Sequence, residues 1–294
     1  MKIGICLPYM KEGLTREDYF NWFRAVDNGP FHSISCGERV HGPTFDMRII
    51  LAAAAAATHR VEITPTLYVL PMHSAVSVAK EIATLDILSG SRVNKVAVGY
   101  GGREKDYHAV EATFKGRYQR MDRQVETLRK VWSQQEIVAG GGPIGPKTAR
   151  ENGPQLLAGV FGPKSIARCA KWADGLYAWS GNGERDELKR TFAMADEAWE
   201  SAQRESRPYR LGGFWYTLAD NGQQKLYDYV YEYLDIAGHE IATMMAESVH
   251  RSSTDAVKEA LDNAEAAGTE EVFMVPATAE IAEIEKLCDI IASR

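Results

Sequence analysis

The chain has 294 residues, of which 45% are hydrophobic and 25% are charged, the composition of an ordinary globular protein. Its 34 basic and 40 acidic side chains give a net charge of −6 without a basic block, which argues against nucleic acid or an anionic membrane as a partner. No apolar run is long enough to cross a bilayer, and the four cysteines show no CxxC pairing, so we expect free thiols in a reducing cytoplasm.

The chain begins with two short apolar runs, each followed by a helical pattern. Residues 2–7 form the first predicted strand, and Thr15 is placed to cap the helix that follows it. Residues 31–36 form the second strand and open into a polar loop at 37–43, after which an alanine-rich helix is predicted over 45–58.

Residues 61–102 predict a strand, a helix and a second strand. The first run, 61–70, is closed by Pro71, the helix is capped by Ser74 and ended by Gly90, and the second run, 93–98, breaks into a glycine-rich loop. Two apolar strands joined by a helix require a parallel sheet that is covered on both faces. Ligands lie beyond the carboxyl ends of such strands, so residues 67–72 and 99–103 should face one mouth.

The second half of the chain repeats the alternation of strand and helix. The predicted strands are 154–158, 175–179, 210–218 and 271–275, and the helices are 117–133, 163–172, 184–205, 255–267 and 278–292. Eight strands in all predict an α/β protein with a (β/α)₈ TIM-barrel fold, a single domain over 1–294. An open, doubly wound sheet is the alternative. Residues 223–250 interrupt the alternation as an insertion after the seventh strand, and substrate-specificity loops are expected at 101–117, 139–153 and 222–250.

The chemical motifs are few. The seven histidines show neither HxH nor HExxH spacing, so no metal site is predicted. The GxSxG motif is absent, and the glycine cluster from Gly99 to Arg103 lacks the GxGxxG spacing of a dinucleotide turn. One stretch has the features of an anion site, Gly159-Val160-Phe161-Gly162-Pro163-Lys164, where a strand ends and a helix begins. The alternative is that these glycines and the proline serve only the turn.

Several longer stretches together resemble the luciferase-like monooxygenase family. They are KEIATLDILSGSRV with VAVGYGGREKDY, the helix RMDRQVETLRKVW, the segment LLAGVFGPKSIARCAKWADGLYAW and the late AVKEALDNAEAAGTEEVFMVPAT. The resemblance extends from Lys2 through the closing helix and implies a TIM barrel that uses reduced FMN or the deazaflavin coenzyme F420.

The resemblance also implies where the cofactor lies. Its ring would cover the barrel mouth, its phosphate would bind at Gly159 to Lys164, and a non-proline cis peptide would fall at Leu67-Tyr68. The position that holds histidine or aspartate in relatives is filled here by Glu38 and Arg39, which become the candidate catalytic residues. The expected cofactor-binding residues are Thr66, Leu67, Tyr68, Gly99, Tyr100, Gly159, Val160, Phe161, Gly162, Pro163, Lys164 and Trp179.

Less specific interpretations stand beside these assignments. In one alternative, Glu38 and Arg39 only form a salt bridge with each other at the rim of the barrel. In a separate alternative, His41 is a solvated loop residue without a catalytic role. Trp215 and Tyr216 are expected in the core. Four alternating tyrosines, at 227, 229, 231 and 233, belong either to a lid or to a subunit contact.

The resulting hypothesis is a flavin-dependent oxidoreductase, a monooxygenase that uses reduced FMN and oxygen on a small organic substrate. F420-dependent hydride transfer is the alternative within enzymes, and a non-catalytic flavin-binding protein is the alternative of another class. The expected partners are a flavin reductase that supplies reduced flavin and further copies of the chain in a homo-oligomer.

Overall fold

Eight parallel strands form a closed ring at the centre of the computed structural model, which describes residues 1–294. Each strand pairs with its successor in sequence, and the last pairs with the first from Lys2 with Glu271 to Ile5 with Met274. Closure confirms the predicted TIM barrel and excludes the open sheet. The strands are β1 Lys2–Cys6, β2 Ser33–Cys36, β3 Glu62–Val69, β4 Lys95–Gly99, β5 Gln155–Ala158, β6 Gly175–Trp179, β7 Tyr209–Tyr216 and β8 Glu271–Pro276.

Eleven helices surround the ring or cover its ends. They are α1 Arg16–Asn28, α2 Met47–Ala57, α3 Ala75–Leu88, α4 Glu104–Ala109, α5 Arg117–Trp132, α6 Pro163–Cys169, α7 Arg185–Ser201, α8 Gly222–Leu234, α9 His239–Ser248, α10 Thr254–Ala266 and α11 Ala282–Ala292. No helix combines the length and the apolar character that a membrane crossing requires.

The local signals that predicted helix ends are confirmed. Thr15 forms a capping box with Asp18 at the start of α1, and the Ser74 hydroxyl accepts the N–H of Ser77 at the start of α3. Gly90 follows α3 with a φ of 69°, a backbone conformation that glycine adopts without steric cost. These contacts satisfy backbone groups that the helices leave unpaired.

The insertion after β7 is confirmed, but it contains two helices rather than one. The helices α8 and α9 are separated by a short 3₁₀ turn, Asp235–Ala237. A further short helix, α4, lies within the loop after β4, where no helix is predicted from the sequence. Both segments stand at the carboxyl end of the barrel, because each one follows the end of a strand.

The opposite end of the barrel interior is filled by buried charges. Lys95 Nζ lies 2.5 Å from Glu62 Oε2 and 3.0 Å from Glu271 Oε2, and Glu271 also accepts the Tyr209 hydroxyl at 2.9 Å. Lys95 is 3% exposed and Glu271 is fully buried. Ion pairing and hydrogen bonds compensate the desolvation of these groups. The filled interior leaves the carboxyl end of the strands as the place for a site.

The four cysteines are free, as the sequence predicts. Cys6, Cys36 and Cys169 are buried, while Cys288 is only half-buried.

Candidate active site

A cavity of about 490 Å³ opens at the carboxyl ends of the strands. Its size falls in the range of small-molecule and cofactor sites. Both stretches predicted to meet at the mouth contribute to it, one through Leu67, Val69 and Met72, the other through residues 100–103. The walls are largely aromatic, with side chains from seven different parts of the chain: Tyr9, Tyr100, Tyr107, Tyr118, Phe161, Tyr177, Trp179, Trp215 and Tyr233.

A second cavity, of about 480 Å³, lies at the opposite rim of the barrel and is lined by polar residues. Its arginines are already engaged: Arg129 with Asp174, Arg207 with Glu270, and Arg150 with Asn94. The aromatic cavity is therefore the candidate active site, because its lining offers both apolar surface and a few convergent polar groups.

The floor of the cavity is formed around Leu67. The peptide bond between Thr66 and Leu67 is cis, so the predicted position, Leu67-Tyr68, is wrong by one bond. The reason lies in the pairing of β3 with β4, which passes from Thr66 opposite Ala97 to Tyr68 opposite Val98 and leaves Leu67 as an extra residue. Sequence alone does not show which residue of a strand is bulged.

Two glycines make room for the Leu67 side chain. A Cβ atom at Gly99 would lie 3.0 Å from Leu67 Cδ1, and one at Gly159 would lie 2.3 Å from Leu67 Cδ2. Any larger residue at position 159 would displace the leucine. The glycine at the end of β4 and the glycine after β5 are thus required by close approach to the bulge of β3.

The structure brings together only some of the expected cofactor-binding residues. Those that line the cavity are Thr66, Leu67, Tyr100, Gly159, Val160, Phe161 and Trp179. Those that do not are Tyr68, Gly99, Gly162, Pro163 and Lys164. Tyr68 is 2% exposed and packs edge-on against His73, which places its ring behind the strand rather than in the mouth. Lys164 is exposed to solvent.

Glu38 lines the cavity and is held from two sides. Its Oε1 lies 2.6 Å from His73 Nε2, and its Oε2 accepts the Val69 N–H at 2.6 Å. His73 follows the turn that ends β3, so the pairing connects two neighbouring strand ends. The alternative in which Glu38 pairs with Arg39 is wrong, because each has a different partner.

Arg39 does not line the cavity. Its side chain is 7% exposed, with Nη1 3.2 Å from Met10 Sδ and Nη2 3.7 Å from Asp235 Oδ1. The structure therefore places Arg39 beneath the insertion, where it contacts the segment that joins α8 to α9. Its predicted catalytic role has no support from this position.

A second carboxylate–histidine pair was missed by the sequence analysis. Asp106, in α4, lines the cavity, and its Oδ1 lies 2.5 Å from His41 Nδ1. The Asp106 side chain is 7% exposed and that of His41 is 52% exposed, so the pair reaches from the cavity to solvent. His41 is the solvated loop residue that one interpretation of the sequence predicts, and it is also the partner of a cavity residue. No motif in the sequence marks Asp106.

The insertion contributes one wall of the site. Tyr233 of α8 packs against Trp215 with ring centroids 5.3 Å apart, and Trp215 packs against Trp179 at 4.7 Å. Trp215 and Tyr216 are both buried in the core, as expected, and the Trp215 ring also lines the cavity. The four tyrosines all lie in α8, where residues four apart share a face, so Tyr229 and Tyr233 form one pair and Tyr227 and Tyr231 form another. Tyr233 belongs to a lid, while Tyr227 and Tyr231 stack on each other farther out.

Burial keeps the thiol and phenol groups of the cavity protonated. Desolvation raises the pKa of the Cys6 thiol to about 12, against the opposing effect of a hydrogen bond with Ser35, and raises the pKa of Tyr9 and Tyr177 well above the ordinary value. Burial raises the pKa of Tyr107 to about 12 as well. The Cys6 thiol is therefore not a reactive thiolate at neutral pH, and Tyr9, Tyr107 and Tyr177 are neutral.

Comparison with known proteins identifies the family. The family model for luciferase-like monooxygenase matches residues 1–286. An uncharacterized protein of Mycobacterium tuberculosis is 30% identical over 175 residues, which cover 56% of this chain and 60% of that protein. The matched region thus spans about 60% of the length of that curated relative.

Three solved structures share the fold. A monooxygenase from Streptomyces bottropensis, RslO1, has a TM-score of 0.78 and 21% identity over 100% of this chain and 98% of its own. An F420-dependent secondary alcohol dehydrogenase has a TM-score of 0.77 and 16% identity, covering 99% and 98%. The oxygenating constituent of 3,6-diketocamphane monooxygenase from Pseudomonas putida, in complex with FMN, has a TM-score of 0.72 and 16% identity, covering 100% and 98%. The family match over nearly the whole length shows that this chain belongs to the luciferase-like monooxygenase family.

Proposed function

We propose that the protein is an oxidoreductase that binds reduced FMN in the aromatic cavity and oxygenates a small organic substrate. The observation that carries this proposal is the shape and chemistry of the cavity, an apolar floor at Leu67 between largely aromatic walls that contain few charged side chains. A flat, largely apolar ring with a polar tail fits such a lining.

The residues present fit a flavin-type ring. Gly99 and Gly159 allow Leu67 to lie flat beneath the cavity, and a Cβ atom at Gly102 would meet nothing within 4 Å. When bound there, reduced FMN would supply the two electrons with which molecular oxygen is activated. The aromatic walls exclude water from the ring, and the protonated tyrosines orient polar atoms of a ligand without adding charge.

Two carboxylates are the groups that hold or move a proton. Glu38 is fixed by a backbone donor and by His73, and Asp106 is paired with the half-exposed His41. The first pair is enclosed and suits a fixed acid or base. The second connects the cavity with solvent and suits proton exchange with water. Cofactor binding alone requires neither pair, which supports an enzyme over a non-catalytic flavin-binding protein.

The loop from Gly159 to Lys164 remains the proposed seat of the cofactor phosphate. Gly159, Val160 and Phe161 line the cavity together with Ser165, and Gly162 has a φ of 76° with open space where a Cβ would lie. Backbone N–H groups at such a turn can approach an anion closely. Lys164 is exposed to solvent and does not line the cavity, so its side chain does not supply a positive charge to a phosphate bound there.

F420-dependent hydride transfer is the second candidate. It is favoured by two arginines at the cavity rim, Arg103 and Arg117, since the F420 tail carries several anionic groups. For the FMN reaction we propose a separate flavin reductase as a partner, because the GxGxxG run from Gly140 to Gly145 lies in the loop between α5 and β5 and not at a turn from strand to helix, where a dinucleotide would bind. We also propose a reducing, cytoplasmic location, which the four free thiols support.

Binding spectra of the purified apoprotein with FMN, anaerobically reduced FMN and F420 test this proposal. We expect saturable binding of reduced FMN, and weaker binding in the Gly159→Ala variant by about tenfold, because the new Cβ displaces Leu67 into the ring site. Gly145→Ala is the matched control, since a Cβ there meets nothing within 4 Å. Binding of F420 alone selects the second candidate, and binding of neither cofactor contradicts both.

A further inference from the structure

The side of the cavity that faces the proposed cofactor site has a lining of its own. In a closed ring of eight strands, each strand lies across from the strand four places along, so β7, β8 and β1 lie across from β3, β4 and β5. Five side chains from these three strands, from the residues after β1 and from α8 line the cavity here, and we call them the far wall: Cys6, Tyr9, Trp215, Tyr233 and Val275. The Leu67 floor and the Gly159 loop lie opposite, which leaves the far wall for a second ligand.

No side chain of the far wall is charged at neutral pH. Burial raises the pKa of the Cys6 thiol to about 12 and raises the pKa of Tyr9 well above its ordinary value. Burial also raises the pKa of Tyr233, and the nearby positive charges of Arg103 and Arg39 oppose this shift only in part. The remaining two side chains have no ionisable group.

The two arginines near Tyr233 are already paired. Arg103 Nη1 lies 2.7 Å from Asp235 Oδ1, and Arg39 Nη2 lies 3.7 Å from the same oxygen. Arg39 also lies outside the cavity lining. An ionised ligand at the far wall would therefore lose its hydration without gaining an unpaired opposite charge, which is costly in a buried site. The far wall thus favours an uncharged ligand.

The far wall also belongs to a continuous series of aromatic rings. Tyr233 packs against Trp215 with ring centroids 5.3 Å apart and planes inclined by 66°, and Trp215 packs against Trp179 at 4.7 Å with the same inclination. Trp215 is only 3% exposed, so its neighbours fix the position of its ring. A further aromatic ring extends such an edge-to-face series, whereas a saturated ring of the same size gains only from the burial of apolar surface.

We infer that the far wall binds the organic substrate and that this substrate is an uncharged aromatic compound. The inference rests on the proposed function, because it assigns to the substrate the side of the cavity opposite to the proposed cofactor site. It makes the Tyr233 ring, which the insertion contributes, a determinant of substrate specificity. Removing that ring should weaken an aromatic ligand without weakening the cofactor.

The experiment measures the affinity of four small probes by anaerobic calorimetry. The protein is loaded with whichever of reduced FMN and F420 it binds. Acetophenone and cyclohexyl methyl ketone share a ketone and differ in the ring, whereas benzoate and benzylamine keep the aromatic ring and are ionised. We expect acetophenone to bind at least about threefold more tightly than the saturated ketone. The two ionised probes should bind at least about tenfold more weakly than acetophenone.

Variants of α8 test whether the far wall is the place of binding. Tyr233→Leu should lower acetophenone affinity by about fivefold and leave cofactor affinity within about twofold. Tyr233→Phe keeps the ring and should bind acetophenone like the parent. Tyr227→Leu is the matched control, since Tyr227 lies on the same helix and stacks on Tyr231 outside the cavity lining. A circular dichroism spectrum and a thermal melt establish that each variant is folded.

The outcomes separate this inference from the proposed function. If the loaded protein binds none of the probes, or binds the saturated ketone or an ionised probe as tightly as acetophenone, the inference is wrong and the proposed function stands. If Tyr233→Leu weakens the cofactor as much as acetophenone, the far wall holds the cofactor ring and the inference is equally wrong. A parent that binds neither FMN nor F420 contradicts the proposed function, and the assignment of the far wall to a substrate falls with it.

Discussion

Two carboxylates at the cavity wall differ in their connection to solvent. Glu38 is enclosed by the Val69 N–H and by His73, whose side chain is 15% exposed, whereas Asp106 is paired with the half-exposed His41. Proton transfer by a positioned acid or base requires that its partners keep it in one orientation. The two bonds to Glu38 meet that requirement without any bound ligand.

Replacing Glu38 with Gln keeps the shape but removes the proton-accepting group, so oxidation of the bound reduced cofactor by oxygen should slow by about tenfold or more. Stopped-flow absorbance measures this rate without an organic substrate. Glu104→Gln, an exposed change at the same rim, is the matched control and should leave the rate unchanged. An unaltered rate in Glu38→Gln with normal cofactor affinity would show that Glu38 takes no part in proton transfer.

At the scale of the elements, the insertion is attached to the barrel mouth by a charge cluster. Asp235, just after α8, receives Arg103 Nη1 at 2.7 Å and lies 3.7 Å from Arg39 Nη2, while Arg103 also donates to the Tyr233 carbonyl. Desolvation raises the pKa of Asp235, but the hydrogen bond and charge of Arg103 outweigh it and lower the pKa below its ordinary value. Arg39 thus helps to hold the insertion, which contains Tyr233, against the barrel mouth.

Replacing Asp235 with Ala should release this attachment. Because Asp235 is 56% exposed, we expect a loss of about 1 kcal/mol or less, seen as up to about fivefold faster amide hydrogen exchange in residues 233–248. The folded pKa is lowered, so the attachment is complete above the unfolded pKa of about 3.9 and is lost as pH falls through the folded pKa. Asp228→Ala, on the same helix, is the control. Equal exchange in both variants would mean that the cluster does not hold the insertion.

At the scale of the whole molecule, two neighbouring outer helices leave large apolar side chains in solvent. Ile49 on α2 is 69% exposed, and Ile87 and Leu88 on α3 are 56% and 59% exposed. The helices contact each other through the Arg48–Glu81 pair at 3.8 Å. Large exposed apolar side chains on two adjacent helices are typical of a contact between copies. We propose that the homo-oligomer forms through α2 and α3.

Ile49→Glu should therefore shift the protein toward the monomer. A buried, unpaired carboxylate in such a contact weakens it by several kcal/mol, enough to dissociate a micromolar dimer. Light scattering after size exclusion measures the mass in solution. Val138→Glu is the matched control, because Val138 is also 69% exposed but lies outside both helices. A parent that is monomeric, or an Ile49 variant with the mass of the parent, would contradict the proposed contact.

The sequence by itself determined the alternation of strands and helices and the end of the sheet that holds the site. Apolar runs and helical periodicity are local signals, and so are Thr15, Ser74 and Gly90 at helix ends. Parallel strands that each precede a helix have all their carboxyl ends at the same edge, whether the sheet is open or closed. Residues 67–72 and 99–103 could be brought together on that ground alone.

Only the tertiary structure decided which side chains enter the cavity. Strand β3 contains one extra residue opposite β4, the cis bond lies at Thr66-Leu67, and the Tyr68 side chain does not enter the cavity. Side chains alternate between the two faces of a strand, so a single bulge changes the face on which the following side chains lie. Asp106 pairs with His41, which is 65 residues away in the sequence, and Arg39 lies beside Asp235, which is nearly 200 residues away. No periodic pattern in the sequence predicts these side-chain contacts, because they form only where distant loops pack against one another over the closed barrel.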